Sequence, residues 1–495
     1  MQNPSGRRGA RLRRTLLTAV AMGALPISAF AKDLPPTPEG AQKLSEIFAA
    51  YLGKPAAGAP SPVSVAAEGA HYAVAVDVAE LAAPFKAAGF SIDPAVVTYA
   101  LTEQDDGAWR VAIENVPPIS VHAKEANYKY DFGDYKFEGI FDPALAWFKS
   151  GQGSVAKSTV EAHAPKLDET VTVTAVQATS AAAPAANGAV SLTAHEEAAG
   201  VSANLLARPD EAKDGGDAKP VPVSFALATT LADVSLDGAP IRKLLDLWAF
   251  VAAHPSRPEI AANEPAFKAL LRALTPSELK LSEKIEMKQN AVGVPQGNFG
   301  LADGKFAVAA SMGAKGAAEY VVAVDGLTMP PGLLPPAMSD LVPTAFNLGI
   351  RASGFDADAG AEEAIKDMHF DGDGPVISDA DGNQIVAKMK SPGPIVIDLL
   401  PSHVAAPQID LTVEGQVRLE GSRPSGVLKV RVRNFDKTVA AFKALGPLAS
   451  PQALGGLALA KTLAKSEADG ALSWVAEYGA DGAIKVNGMP LGKAP

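Results

Sequence analysis

Tyr128-Lys129-Tyr130-Asp131-Phe132-Gly133-Asp134-Tyr135-Lys136-Phe137-Glu138-Gly139 reads as β structure residue by residue. Aromatic and charged side chains alternate with the period of two that places successive side chains on opposite faces of a strand. The spacing predicts a hairpin with Gly133-Asp134 as a two-residue turn. Phe132 would then face Tyr135 and Tyr130 would face Phe137, while Asp131 meets Lys136 and Lys129 meets Glu138 on the other face. Two aromatic pairs and two opposite-charge pairs fall out of one register, each contributing about 0.2–1 kcal/mol.

The same texture extends outward. Asp-Gly begins at Asp106, Asp214, Asp237, Asp303, Asp325, Asp371, Asp373, Asp381, Asp469 and Asp481, and Asn-Gly at Asn187 and Asn487. Several of these lie between alternating apolar runs, where they mark tight turns. Ile409, Leu411, Val413, Val417 and Leu419 alternate with polar residues, and Leu428, Val430 and Val432 alternate with Lys429, Arg431 and Arg433 after a turn at Gly421–Gly426. The acidic outer side of the first run suits the basic side of the second. A three-residue turn, Ala480-Asp481-Gly482, closes a last hairpin that puts Tyr478 and Ala476 on one face with Ile484 and Val486.

Helices interrupt this pattern. Thr37-Pro38 is a cap and first helical residue ahead of Leu44, Ile47, Phe48, Tyr51 and Leu52, and residues 54–62 read as a linker. Ile241, Leu244, Leu245, Trp248, Val251 and Ala252 define a second helix, and Phe267, Leu270, Leu271 and Leu274 a third, with Pro255 and Pro258 between them. The fold expected is α+β: a mostly antiparallel β meander or curved sheet with a few packed helices. A loose echo links Val74-Ala75-Val76-Asp77 with Val322-Ala323-Val324-Asp325, and chance in an alanine-rich chain accounts for it as well as duplication does.

The N-terminus predicts export. Arg7, Arg8, Arg11, Arg13 and Arg14 precede an apolar run from Leu16 to Leu25, and Ala29-Phe30-Ala31 presents small residues at Ala29 and Ala31, the positions a signal peptidase reads. The expected organisation is a signal over residues 1–31 and an extended envelope protein over 32–495. Subdivisions are drawn at 32–155, 156–350 (with the helical hairpin) and 351–495. The apolar run is too short to span a bilayer, and no later stretch supplies a transmembrane helix. Arg13-Arg14 resembles a twin-arginine signal without the usual preceding hydroxyl residue, which favours ordinary export into the periplasm.

Composition sets further bounds. The chain has no cysteine, which excludes disulfides, thiolate metal sites and cysteine nucleophiles. Loss of the five signal arginines takes the formal charge from −11 to −16. An acidic chain repels phosphate backbones and anionic lipid headgroups, which argues against nucleic acid and against electrostatic docking on a membrane, and leaves an envelope lipid held by apolar contact, or a protein, as the candidate partner.

Three segments resemble a family of exported bacterial proteins known as domain of unknown function 2125. They are Gly139-Ile140-Phe141-Asp142-Pro143-Ala144-Leu145, then Arg423-Pro424-Ser425-Gly426-Val427-Leu428 leading to Arg433-Asn434-Phe435-Asp436, and Asp481-Gly482 with Val486-Asn487-Gly488-Met489-Pro490-Leu491. The resemblance implies a β-rich protein of the envelope and carries over no catalytic residue; residues 156–408 have no part in it.

No pattern of residues calls for a cofactor or a catalytic set. The histidines are dispersed, no Gly-x-Ser-x-Gly or phosphate loop occurs, and Asp131-Phe132-Gly133 matches a kinase tripeptide in letters alone. Calcium has the least implausible ligands of any ion, Asp371, Asp373, Asp379, Asp381 and Asn383 on expected flexible turns, but no glutamate closes either loop and a solvated acidic loop is the leading reading. Tyr128, Tyr130, Phe132, Tyr135 and Phe137 could line an apolar-ligand site or simply a core. The leading expectation is therefore a non-enzymatic structural or binding protein of the periplasm or envelope, with a curved sheet that cradles an apolar ligand such as lipid. The alternative is an envelope polysaccharide hydrolase with paired carboxylates.

Overall fold

The computed structural model describes residues 31–52, 61–83, 86, 89–208, 219–275, 277–372, 374–390, 393–420, 423–446 and 449–493. Its fold is α+β, dominated by antiparallel sheet. Helix α1 (Pro38–Leu52) starts where Thr37 Oγ1 accepts the Gly40 N–H, and its Ala41 and Leu44 bury against Tyr72, for whose ring Gly40 leaves room. The chain then enters β1 (Val63–Glu68), β2 (His71–Asp77), the short α2 (Val78–Ala82), β3 (Ser91–Ile92), β4 (Val96–Glu103), β5 (Trp109–Asn115), β6 (Ile119–Ala123), β7 (Ala126–Asp131) and β8 (Lys136–Asp142). Long strands follow: β9 (Trp147–Ala164), β10 (Leu167–Pro184), β11 (Val190–Ala207), then β12 (Val221–Leu227) and β13 (Thr229–Ala239).

The helices α3 (Ile241–Ala253), α4 (Arg257–Ala262) and α5 (Glu264–Ala273) form the expected helical hairpin, with α4 capped by a reciprocal Ser256–Glu259 pair between the two long helices. Strands β14 (Lys280–Val294), β15 (Gly297–Ser311) and β16 (Gly316–Asp325), short α6 (Pro336–Ser339) and β17 (Ala345–Phe355) come next. After α7 (Ala357–Asp367) and α8 (Asp379–Met389) run β18 (Ile395–Ala406), β19 (Ile409–Glu420) and β20 (Arg423–Arg433). The chain ends with α9 (Phe435–Ala444), α10 (Pro451–Leu463), β21 (Lys465–Ser466), β22 (Leu472–Tyr478), β23 (Ala483–Val486) and β24 (Met489–Lys493).

Pairing follows a meander. From one edge the order is β1, β2, β4, β5, β8, β9, β10, β11, β13, then β14 to β20 in sequence, β22, β23 and β24. No pairing among the described residues joins β1 to β24, so the sheet is open. An open sheet much wider than about ten strands must twist and curl. Residues 155 and 350, where the sequence suggested divisions, lie inside β9 and β17 of this one sheet.

The hairpin expected at 128–139 does not form. Tyr130 pairs with Ile119 and Val160, and Phe137 with Ile113 and Gly153. β7 and β8 instead follow one another along β9 in a single register, Asp131 opposite Thr159 and Lys136 opposite Ser154. Phe132–Tyr135 is an interruption in one line of strand, and Pro117-Pro118 interrupts the neighbouring line between β5 and β6. Two adjacent prolines cannot donate to a ladder, which is why the break falls there.

The break continues as a crease. Ala175 in β10 has φ 49° and Gln289 in β14 has φ 50°, and Ala228 separates β12 from β13. At the crease the alternation of inward side chains changes phase, from Ala194 and Ala198 to Ala203 in β11. Val155, Val176 and Ala198 on one side pack with Tyr135, Val173 and Val201 on the other, so the crease closes toward that face.

Turn chemistry is partly as expected. Ala480-Asp481-Gly482 closes the last hairpin with Gly482 at φ 80°, and Tyr478 pairs with Ile484, Ala476 with Val486. The β19–β20 hairpin holds its register, Val413 opposite Val430, but β20 resumes at Arg423, so the turn is shorter than Gly421–Gly426. Asp237-Gly238 and Asp303-Gly304 lie within strands and Asp381-Gly382 within α8, none of them a hairpin tip.

Candidate functional site: the apolar face of the sheet

Directly paired residues in a sheet share a face. Ile285, Phe306, Val322 and Leu348 are successive partners from β14 to β17, as are Val413, Val430 and Trp474 from β19 to β22. Their sequence neighbours on the other face are polar: Glu319, Arg351, Asp398 and Gln416 are successive partners, and Glu414 meets Lys429 at 2.9 Å. A sheet with one apolar face normally buries it under a second layer. Here Tyr320, Leu348, Ile350, Val417 and Leu428 of the apolar face remain 39, 47, 47, 40 and 40% exposed.

A row of helices walls one end of this face. α1 covers Tyr72, Ile241 at the start of α3 packs with Ala182, Val190 and Leu192, and α7 and α8 approach Ala310, Ala318 and Phe355. The row is stitched together: Trp248 Nε1 donates to the Tyr51 carbonyl (2.8 Å), Phe250 meets Phe267, Phe267 meets Phe370 edge-on, and Arg272 pairs with Glu362 at 2.9 Å. Beneath α7 and α8 lies an apolar recess of about 360 Å³ that Gly360, Ile385 and Met389 help to line.

The five aromatic residues singled out in the sequence share the apolar face. Successive ring centroids from Tyr128 to Tyr130, Phe132 and Tyr135 lie 6.4, 6.3 and 6.5 Å apart, and Phe137 meets Phe148 edge-on at 5.2 Å. They form a file along one interrupted strand, not cross-strand pairs. Burial, with Tyr99 adding to it, pushes the Tyr135 phenol up to about 12, and burial also raises Tyr130.

The calcium candidates do not assemble. Asp373 and Ala29 lie outside the described residues, and Ala31 is the first residue described. Asp379, Asp381 and Asn383 sit on α8 instead of a flexible turn, because Ser378 and Asp381 form a capping box that starts the helix there. The Ser378 hydroxyl and N–H donate to Asp381, which holds its carboxyl below the usual range. Asp371 is exposed ahead of this helix. Among the described residues no three His, Asp or Glu converge as a metal would require.

Among the described strand residues from β10 to β20, positive charge is confined to the other face. From β10 to β20 the described strand residues on the apolar face include no lysine, arginine or histidine, and the acids there are Glu169, Glu196 and Glu283. Burial raises the Glu196 carboxyl above its ordinary range. On the polar face acids meet bases: Arg208 and His163 hold Asp168 low, and Gln416 and Arg351 hold Asp398 low. Carboxylates held ionised in this way suit ion pairing, not proton donation.

Sequence reasoning missed the neutral polar atoms on the apolar face. Ser180 Oγ, Thr230 Oγ1 and both amide atoms of Asn290 are buried without a hydrogen-bond partner. Each is a lone polar residue in an apolar run, which carries no sign of its direction. No family model, curated protein or solved structure matches the chain. Among the described residues no helix is long and apolar enough to cross a membrane.

Proposed function

We propose that this is a non-enzymatic binding protein of the envelope that holds acyl chains along the apolar face of its sheet. The observation that carries the reading is the uncovered apolar run from β16 to β20, with Tyr320, Leu348, Ile350 and Leu428 left 39–47% exposed. An exposed apolar surface of this extent is a binding surface in a stable protein. At about 4.8 Å per strand, the run from β16 to β20 extends about 20 Å. That length exceeds the roughly 15 Å of one leaflet of a bilayer's hydrocarbon core, so it accommodates an extended acyl chain.

An acyl chain suits the face better than a second flat sheet does. The helical row stands over one end of the strands, so an occupant must be thin and flexible. Each methylene removed from water contributes about 0.8 kcal/mol, so ten give about 8 kcal/mol before ordering costs. The acidic chain and the cation-free face leave little for anionic headgroups to pair with, and binding should respond weakly to salt.

Native mass spectrometry and organic extraction of the purified protein test this. Acyl-bearing molecules should co-purify, and Ile350→Asp with Leu428→Asp should strip them. A clean apo mass for the wild type, with light scattering that shows a dimer closed over this face, would overturn the reading.

A further inference from the structure

Four polar side chains interrupt the apolar face along one diagonal. Ser180 on β10 pairs with Ala194 on β11, and Glu196 is the next residue of β11 on the same face. Glu196 pairs with Ala232 on β13, and Thr230 is the next residue of β13 on that face, toward the crease. Thr230 pairs with Met287 on β14, and Asn290 follows directly across the crease from it. Ser180 is 1% exposed and Asn290 6%, and neither has a hydrogen-bond partner; nor does Thr230 Oγ1. A buried amide with neither its donors nor its acceptor matched is costly, and such groups persist where something else satisfies them.

The chemistry of that partner is constrained. Asn290 offers both donors and an acceptor, and hydroxyls do the same, so the partner must both donate and accept. No described strand residue on this face from β10 to β20 is a lysine, arginine or histidine, so an anionic phosphate or carboxylate would enter without a counter-charge from them. Glu196 repels an anion outright when ionised, and in its neutral form it donates like the hydroxyls. The apolar face continues on both sides of the diagonal, with Val176, Ala198 and Val201 beside it.

We propose that the crease is a headgroup subsite for a neutral acyl lipid, with the Asn290 amide and the Thr230 hydroxyl bonding the hydroxyl and ester oxygens of a glycerol head while its chains run along the apolar face. This rests on the acyl-binding reading above and adds the class of lipid. A site with matched polar groups rejects ligands that leave those groups unpaired far more strongly than a purely apolar slot does.

The test offers the mature protein hexadecane alone, and then equimolar dioleoylglycerol and dioleoyl phosphatidylglycerol in competition, read by native mass spectrometry. The wild type should take hexadecane and should favour the diglyceride by roughly tenfold or more. Asn290→Leu with Thr230→Val, which keep the branched heavy-atom shape of each side chain and remove its polar atoms, should keep hexadecane uptake and bring the preference to within about twofold. A wild type that takes hexadecane but shows no preference overturns the subsite and leaves the acyl-binding reading standing. So does an unchanged preference in the double variant, above all if that variant melts higher, since the buried groups would then serve only internal water. Failure to take hexadecane at all removes both.

Discussion

Asn487 shows how one residue can be half-read from sequence. Its Asn-Gly step marks a turn, and the residue does adopt φ 49° between β23 and β24. Its larger task is invisible in the sequence: Oδ1 accepts the Val475 N–H at 2.9 Å, and Nδ2 donates to the carbonyls of Leu463 (2.8 Å) and Ser473 (3.1 Å). These bonds tie the last hairpin to α10 and β22. At about 1 kcal/mol net for each, Asn487→Ala should cost about 2–3 kcal/mol in chemical denaturation. Five of the dispersed histidines, His71, His122, His163, His195 and His403, likewise proved to be carboxylate partners on the polar face. His122 bonds Asn127 at 2.9 Å and Asp93 at 3.0 Å, and these two contacts, Asn127 first, raise its pKa. A raised folded-state pKa stabilises fully below the unfolded value near 6.5 and loses that contribution as pH rises through the folded value. Asp93→Asn should therefore lower the His122 pKa in an NMR titration and flatten the dependence of stability on pH across that window.

At the scale of elements, strand content and facing were legible, and partner choice was not. The change of phase between Phe132 and Tyr135 is the same for a two-residue turn and for a crease, because both leave Tyr130 and Phe137 on one face. Pro117-Pro118 on the neighbouring line is the local signal that favours the crease, since it too breaks a ladder. Pro165-Lys166, Pro295-Gln296 and Pro407-Gln408 are the two-residue links that turn β9 into β10, β14 into β15 and β18 into β19, and they lack the Asn-Gly or Asp-Gly signature. The acid-rich stretch misled for a related reason, since Ser378 and Asp381 turn an expected loop into a helix start. Cysteines test the strand assignment directly. Tyr130→Cys with Val160→Cys should cross-link on mild oxidation, as directly paired α-carbons lie within disulfide reach. Tyr130→Cys with Phe137→Cys should not, and the opposite result would restore the hairpin.

For the whole molecule, the apolar face could not be seen in any single strand. Each strand from β16 to β20 reads as ordinary half-buried alternation, and only their shared register joins the apolar halves into one uncovered surface. We propose export with cleavage after Ala31, and it is tested at the N-terminus. The Lys32 N–H donates to Asp105 Oδ1 at 3.0 Å, and cleavage after Ala31 would make that nitrogen an ammonium beside a carboxylate. N-terminal sequencing of protein from the envelope fraction should therefore return Lys32, and an intact Met1 would contradict export by cleavage. The claim that the uncovered face holds acyl chains is tested most directly by a photoreactive lipid that carries a diazirine at mid-chain. After irradiation with the purified protein, adducts should map by peptide mass spectrometry to Tyr320, Leu348, Ile350 and Leu428 on the apolar face. Adducts confined to Arg351, Asp398, Gln416 and their polar neighbours, or none at all, would contradict the account.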